Sequence, residues 1–163
     1  MRKHALVLAL IVGAVLVGVA IATPPSGSIV AETARGDLDG RLQLFSRFEN
    51  GARVKVSTKG PMEFVTQRIV AQPGASFGWH THPGENVNVV LQGTLTLYHD
   101  DRCTKALPYG AGSSFPTSPD EVHLARNEGS EPLVFFAAYF VPKTNPPVPI
   151  RIDQPSPGPG CPQ

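Results

Sequence analysis

The chain has 163 residues, of which 17% are charged, and its formal net charge at pH 7 is +1. This length favours a single domain. Lysine and arginine are scattered, with no basic run interleaved with aromatic residues, which argues against a nucleic-acid-binding surface. The 16 glycines and 17 prolines fall between short apolar runs, as is typical of an all-β domain with many turns.

The chain begins with a short basic stretch, followed by an unbroken apolar run from Ala5 to Ala22. The run ends in the A-x-A pattern Ala20-Ile21-Ala22, so we predict that residues 1–22 are a secretory signal peptide cleaved after Ala22. The alternative is an uncleaved transmembrane helix, since a run of this length can just span a bilayer. Both interpretations place the rest of the chain outside the cytoplasm. Only the uncleaved alternative leaves a membrane contact, which is through residues 5–22.

The remainder of the chain divides into three segments. Residues 23–51 are weakly periodic, and we interpret them as a lead-in arm with one edge strand. Residues 52–141 contain short runs that alternate with a period of two, and residues 142–163 form a Pro/Gly-rich tail. The predicted strands of the middle segment are residues 52–57, 63–72, 76–82, 86–92, 94–100, 113–115, 121–127 and 133–141. Short strands separated by glycine and proline turns predict a β-sandwich or β-barrel.

The two cysteines are Cys103, in a loop-like stretch, and Cys161, in the tail. In an exported protein an isolated pair is most simply one disulfide, which would tie the tail to the domain. The alternative is two unrelated free thiols.

His80 and His82 lie one residue apart in a predicted strand, so their side chains share a face. Two imidazoles that project together can chelate one metal ion. A third ligand must come from elsewhere, and His123 lies in a strand-like segment that folding can bring opposite the pair. The alternative is a surface strand that carries two histidines.

The same alternation sorts the residues of the next strand. Asn86 and Asn88 share a face that can border a pocket for polar ligands, whereas we expect Val87, Val89 and Leu91 to be core. The run 133–141 lacks strict alternation, which predicts a strand buried on both faces.

The sequence offers few acid–base groups near this region. A general base beside a metal would have to be Glu85, Tyr98 or His99. We take Glu85, Asn88 and Tyr98 as candidate pocket residues. No catalytic residue can be named from the sequence.

Two segments of the chain resemble the conserved motifs of the cupin superfamily. The first motif is matched by Gly74, His80, His82 and Gly93, and the second by Gly112, His123 and Asn127. The resemblance covers roughly residues 52–141. It implies a small antiparallel jelly-roll β-barrel with ligands inside the barrel mouth, and it implies that Asn127 secures backbone at a turn.

One position departs from the family pattern. The glutamate of the first motif is replaced by Asn86, and Glu85 precedes it. Loss of a hard anionic ligand disfavours manganese and favours zinc, copper, nickel or iron. We therefore predict one divalent transition metal held by His80, His82 and His123, with Asn86 at or next to its coordination shell. The alternative is a metal-free pocket that binds a small organic molecule.

The resemblance leaves the activity open, because cupins include enzymes, storage proteins and sensors. An exported metal-binding cupin without assigned activity is the interpretation we favour. A metal-dependent oxidoreductase or isomerase acting on a small polar substrate is an alternative, as is a metal-free small-molecule-binding cupin. Analogy with the family also implies a homodimer.

Overall fold

The computed structural model of the chain describes residues 21–38, 40–100 and 103–163. The predicted signal peptide or anchor lies outside the described residues, apart from its last two positions. The described residues form twelve β-strands and no helix, so nothing in that part of the chain is a helix able to cross a membrane. The all-β prediction is confirmed for the described part of the chain.

The strands follow the predicted alternation closely. They are β1 (Ile29–Leu38), β2 (Gln43–Arg47), β3 (Arg53–Ser57), β4 (Met62–Ala71), β5 (Ser76–Thr81), β6 (Glu85–Gln92), β7 (Thr94–His99), β8 (Leu107–Gly110), β9 (Ser114–Thr117), β10 (His123–Arg126), β11 (Leu133–Pro142) and β12 (Ile152–Asp153). Each of the eight predicted runs overlaps one strand. Strand β8 was missed because Pro108 signals a turn, yet β8 lies at a sheet edge, where proline is tolerated.

The strands form two five-stranded antiparallel sheets. One has the order β1-β4-β11-β6-β9 and the other the order β12-β5-β10-β7-β8, while β2 and β3 form a separate hairpin. Two antiparallel sheets of this kind are the jelly-roll arrangement. The core between them includes Val65, Ile69, Leu95, Leu97 and Phe135, each no more than 5% exposed.

The segment interpreted as a lead-in arm contains two strands, not one. Strand β1 pairs with β4 along its whole length, from Ile29 opposite Ala71 to Leu38 opposite Met62. The first sheet therefore begins before residue 52. The alternation of β1 is weak because nearly all of its residues are exposed at the sheet edge.

The structure corrects the faces assigned to β6. Asn86 and Asn88 point into the barrel, whereas Val87, Val89 and Leu91 are between 43% and 48% exposed. Alternation correctly separated the two sets, but the more apolar set lies outside. The inward face carries amides because it lines a polar part of the barrel interior.

The prediction that β11 is buried on both faces is wrong. Its burial alternates, with Phe135, Ala137 and Tyr139 inside the barrel and Phe136 45% exposed. Apolar residues occupy both faces of this strand, which hides the alternation in the sequence.

The C-terminal tail returns across the second sheet. Strand β12 pairs with β5, and the Trp79 indole N–H donates to the Pro162 carbonyl at 2.8 Å. The predicted disulfide is confirmed: Cys103 and Cys161 are bonded, with their Cα atoms 5.2 Å apart. Such a bond is typical of proteins in an oxidising compartment.

Candidate metal centre

Neighbouring strands bring the three predicted histidines together. The register of β10 on β5 places His123 opposite His80. His82 follows two residues after His80 and shares its face. One ring nitrogen of each histidine lies within 4.8 Å of the others, and the three side chains are only 3–5% exposed.

Each of these imidazoles has its Nδ1 atom against a backbone carbonyl. The distances are 2.8 Å from His80 to Gly78, 2.6 Å from His82 to Ile150 and 2.9 Å from His123 to Glu121. Because a carbonyl oxygen only accepts, Nδ1 is the protonated atom in each neutral ring. The lone pair of each Nε2 is therefore free, as in metal-ligating histidines oriented by a second partner.

The surroundings also keep these rings neutral. Burial, and after it the charge of the neighbouring His82, lower the pKa of His123 to about 3. Burial is also the main cause that lowers the pKa of His80 and of His82, and the charge of Arg151 acts in the same direction on all three rings. Neutral imidazole is the form that binds metal.

The donor set suits a divalent transition metal. Three imidazoles without a carboxylate are typical of sites for zinc, copper, nickel or iron. Three protein ligands also leave a coordination position open for water or another small ligand. The three-histidine group could therefore hold a metal ion.

The histidines line a cavity of about 200 Å³ between the two sheets. Most of its wall is apolar. Its other polar lining residues are Gln67, Asn86, Asn88, Tyr139 and Arg151.

Asn86 lies beside the histidines, but its carbonyl oxygen is already occupied. The Thr117 hydroxyl donates to Asn86 Oδ1 at 2.6 Å, and Asn88 Nδ2 donates to the same atom at 2.9 Å. Asn88 Nδ2 also donates to the Phe115 carbonyl, which fixes the orientation of both amides. The amide nitrogen of Asn86 thus remains available to donate a hydrogen bond in the cavity. An amide nitrogen of this kind does not ligate a metal.

Two of the candidate pocket residues lie outside the histidine cavity. Glu85 is exposed on the outer face of β6, as the alternation predicts. The Tyr98 hydroxyl donates to Glu128 at 3.0 Å on the other side of its sheet. Only Asn88 of the three lines the cavity. The His99 Nδ1 atom lies 2.6 Å from a carboxylate oxygen of Glu121, and His99 does not line the cavity either.

Three polar cavity residues were missed from the sequence: Gln67, Tyr139 and Arg151. Tyr139 has its ring centroid 5.2 Å from that of His82, and its hydroxyl donates to Gln67 at 3.2 Å. Burial raises the pKa of Tyr139, which keeps the phenol protonated. Arg151 comes from the tail, where no local pattern marks a site. Tyr139 was hidden in a uniformly apolar run.

The role predicted for Asn127 is confirmed. Its Nδ2 donates to the Ala71 and Glu131 carbonyls, both at 2.9 Å, and its side-chain oxygen accepts from the Gly129 N–H. It therefore holds the turn after β10 without contributing to the cavity.

Comparison with known proteins supports the class that the motifs indicated. The family model Cupin_2, described as a cupin domain, matches residues 67–139. Together with the two-sheet fold, this match supports membership of the cupin superfamily. A search of the curated proteins found no match.

Several solved structures are similar to this chain. A cupin-like protein from Thermotoga maritima is 20% identical, with a TM-score of 0.52, and the match covers 81% of this chain and 80% of that one. A Cupin 2 conserved barrel domain protein from Salinispora arenicola is 25% identical, with a TM-score of 0.42, and the match covers 47% of this chain and 61% of that one. The polyketide cyclase RemF from Streptomyces resistomycificus is 22% identical, with a TM-score of 0.43 and coverages of 47% and 54%. The chain thus spans less than two thirds of the length of the last two proteins.

Proposed function

We propose that this protein is a metal-binding cupin that works outside the cytoplasm, with His80, His82 and His123 as the ligands of one divalent transition metal. The observation that carries the proposal is the shared orientation of the three rings. Each ring has its Nδ1 on a backbone carbonyl, which leaves three Nε2 lone pairs in one buried cluster. A bound ion would act there as a Lewis acid toward a ligand in the cavity.

The cavity favours binding over acid–base catalysis. Among the residues that the structure describes, no carboxylate lines it. Tyr139 stays protonated, and the three histidines are committed as ligands in this proposal. A general base must reach the proton that it removes, and these walls supply none. We therefore place a metal-binding role ahead of an isomerase activity, which would need such a base.

Metal analysis of purified protein tests the ligand assignment. The native protein, dialysed against zinc and then freed of loose metal, should retain one ion per chain. His80→Ala should lose stoichiometric zinc, because the two remaining imidazoles hold an ion much more weakly. The measurement is metal content by mass spectrometry.

His99→Ala is the matched control. His99 is the neighbour of His123 on the adjacent strand β7, but it does not belong to the three-histidine cluster. It should keep one zinc per chain. If neither His80→Ala nor His123→Ala lowers the zinc content below that of the native protein, the three-histidine site does not hold metal.

We further propose that residues 1–22 are removed on export. The disulfide supports an oxidising destination. The segment that follows is bound to the fold from its first residue: the Thr23 N–H donates to the Gln154 carbonyl at 2.9 Å, and the Thr23 hydroxyl accepts from the Trp79 N–H at 2.7 Å. Intact mass of the exported protein should correspond to a chain that starts at Thr23. A mass that includes residues 1–22 would favour the membrane anchor.

A further inference from the structure

We propose that the cavity binds a small organic acid, whose carboxylate lies against Arg151 beside the three histidines and whose apolar body extends between the sheets. The inference deepens the proposed function, because it names the class of ligand that the same site takes. It depends on Arg151, a residue outside the segment matched by the cupin family model.

The charges around the cavity call for an anion. Arg151 is the one formally charged side chain among the described residues that line it. The metal proposed here would add two positive charges beside three neutral imidazoles, and Asn86 stands where the family pattern has a carboxylate. Arg151 already has Asp153 as a partner, but the charge of the proposed metal has no counter-charge among the described lining residues, and burying it uncompensated is costly. A ligand that brings a negative charge offsets this cost, and a neutral ligand does not.

The guanidinium of Arg151 is held in place by two contacts and keeps unused hydrogen-bond donors. One terminal nitrogen donates to the Phe77 carbonyl, and the other lies 2.7 Å from a carboxylate oxygen of Asp153. Asp153 is the more exposed partner, at 39% against 22% for Arg151. A guanidinium carries five N–H donors, so these two contacts leave donors for a bound carboxylate.

The cavity changes from polar to apolar along its strands. The register of β11 on β6 pairs Tyr139 with Asn86 near the histidines, and pairs Phe135 with Val90 four residues further along. Beyond His123 on β10, the next inward residue is Ala125, which pairs with Leu97. An acid group at the histidine end would therefore place the rest of its molecule among apolar side chains.

The far end of the cavity suits a compact apolar body. Leu97, Phe115 and Phe135 line it and are buried. A volume of about 200 Å³ has room for a ligand of roughly ten non-hydrogen atoms. We therefore infer a small monocarboxylic acid, and not a sugar or a highly charged phosphate ester, whose polar groups would be left unpaired at this end.

The tail supplies this anion site. Ile150, the residue before Arg151, holds His82 through its carbonyl, and the disulfide at Cys161 fastens the same tail to the domain. Arg151 and His82 are thus held by one segment. The same segment therefore carries the anion-binding group and orients one of the proposed metal ligands.

Binding of benzoate, compared with its neutral analogue benzamide, tests the proposal. Titration calorimetry is carried out on metal-free and zinc-loaded protein. Native protein should bind benzoate at least tenfold more tightly than benzamide. Arg151→Gln should weaken benzoate binding by about tenfold or more, because a charge-assisted bidentate contact is lost, and should leave benzamide binding unchanged.

Arg126→Gln is the matched control. Arg126 lies on β10 and, like Arg151, is half-buried, is paired with a carboxylate, that of Glu128, and has a buried Nε without a hydrogen-bond partner. It does not line the cavity, so benzoate affinity should not change. Equal benzoate affinity in native protein and Arg151→Gln, or equal loss in both variants, would overturn the proposal.

Arg151→Lys covers the case in which Arg151→Gln does not fold. It keeps the charge but loses the planar fork, so benzoate affinity should fall between that of native protein for benzoate and for benzamide. An affinity no better than that for benzamide, in a variant with native circular dichroism, would count against the proposal.

Zinc content of the same samples separates this inference from the proposed function. Benzoate binding that depends on Arg151 in protein that retains no zinc would support the organic-acid site and contradict the metal site. One zinc per chain without benzoate binding would support the metal site and overturn the organic-acid inference.

Discussion

At the scale of single residues, Asn86 sets the charge of the site. It lies beside three neutral imidazoles and is itself neutral, with its carbonyl oxygen held by Thr117 and Asn88. A hard anionic ligand is therefore missing from the cluster. In the proposed metal site this would favour imidazole-binding ions and leave the charge of a bound ion for an acidic ligand to neutralise.

Asn86→Glu should tighten metal binding. A carboxylate can accept the same two hydrogen bonds and adds a hard anionic oxygen, so we expect affinity to rise on the order of tenfold and preference to shift toward manganese or iron. Competition titrations with a chelator measure both effects. Glu85→Ala should leave metal affinity unchanged, because Glu85 is exposed on the outer face of β6. If Asn86→Glu left metal affinity unchanged and Glu85→Ala weakened it, Glu85 would turn inward in solution.

The histidine cluster should make the metal-free protein sensitive to acid. The folded-state pKa of His123 is about 3, below the unfolded value of about 6.5. The unfolded chain then binds protons first, so the stabilisation is complete above pH 6.5 and is lost as pH falls toward 3. From His123 alone, we expect the free energy of unfolding to fall by about 2 kcal/mol between pH 7 and pH 5.

Urea denaturation of chelator-treated protein at the two pH values measures this loss. In His123→Gln the difference should shrink, since one of the responsible groups is gone. Identical stability of the native protein at pH 7 and pH 5 would contradict the burial of three neutral imidazoles.

At the scale of elements, β5 is the strand that organises the site. It lies between β10, which brings His123, and β12, which belongs to the tail. The N-terminal segment also crosses it closely at Gly78, where φ is +67° and a Cβ atom would lie 2.0 Å from the Thr23 carbonyl oxygen. Glycine at this position therefore permits both the backbone conformation and the crossing.

Gly78→Ala should destabilise the fold. The added methyl group meets backbone atoms that cannot move independently, and alanine is strained at this φ, so we expect a loss of about 2–4 kcal/mol. Gly110→Ala is the control, because a Cβ there meets nothing within 4 Å. Thermal or urea denaturation compares the two. Equal stabilities would show that the N-terminal segment does not pack on β5 in solution.

At the scale of the whole molecule, the C-terminal tail completes the site, and the outer face of the first sheet exposes apolar side chains. The disulfide joins residues 58 apart in sequence and holds the tail that carries Ile150 and Arg151. On the opposite side, the apolar residues Val87, Val89 and Phe136 are exposed. The homodimer implied by the family resemblance remains a prediction, and this face is where a second copy would bury apolar area.

Removing the disulfide should cost much of the stability. In the chain-entropy model a loop of this length contributes about 4 kcal/mol, so the double variant Cys103→Ser, Cys161→Ser should unfold at a clearly lower urea concentration. Reductant should destabilise the native protein similarly and should not affect the double variant. A variant as stable as the oxidised native protein would show that tail packing alone closes the loop.

Local pattern determined a large part of this structure. Side chains two residues apart on a strand share a face, so His80 and His82 had to project together, and Glu85 had to face away from Asn86. The same period-two runs located eight of the strands. These features depend only on the geometry of a single extended chain, which the sequence specifies directly.

Tertiary structure decided which faces are covered and what reaches the site. Alternation separates Asn86 from Val87 but does not say which one faces the opposing sheet. The contact of His82 with Ile150 spans 68 residues, and Arg151 arrives with the same segment. Burial and charge at the site come from such long-range packing, which the order of residues along one strand does not encode.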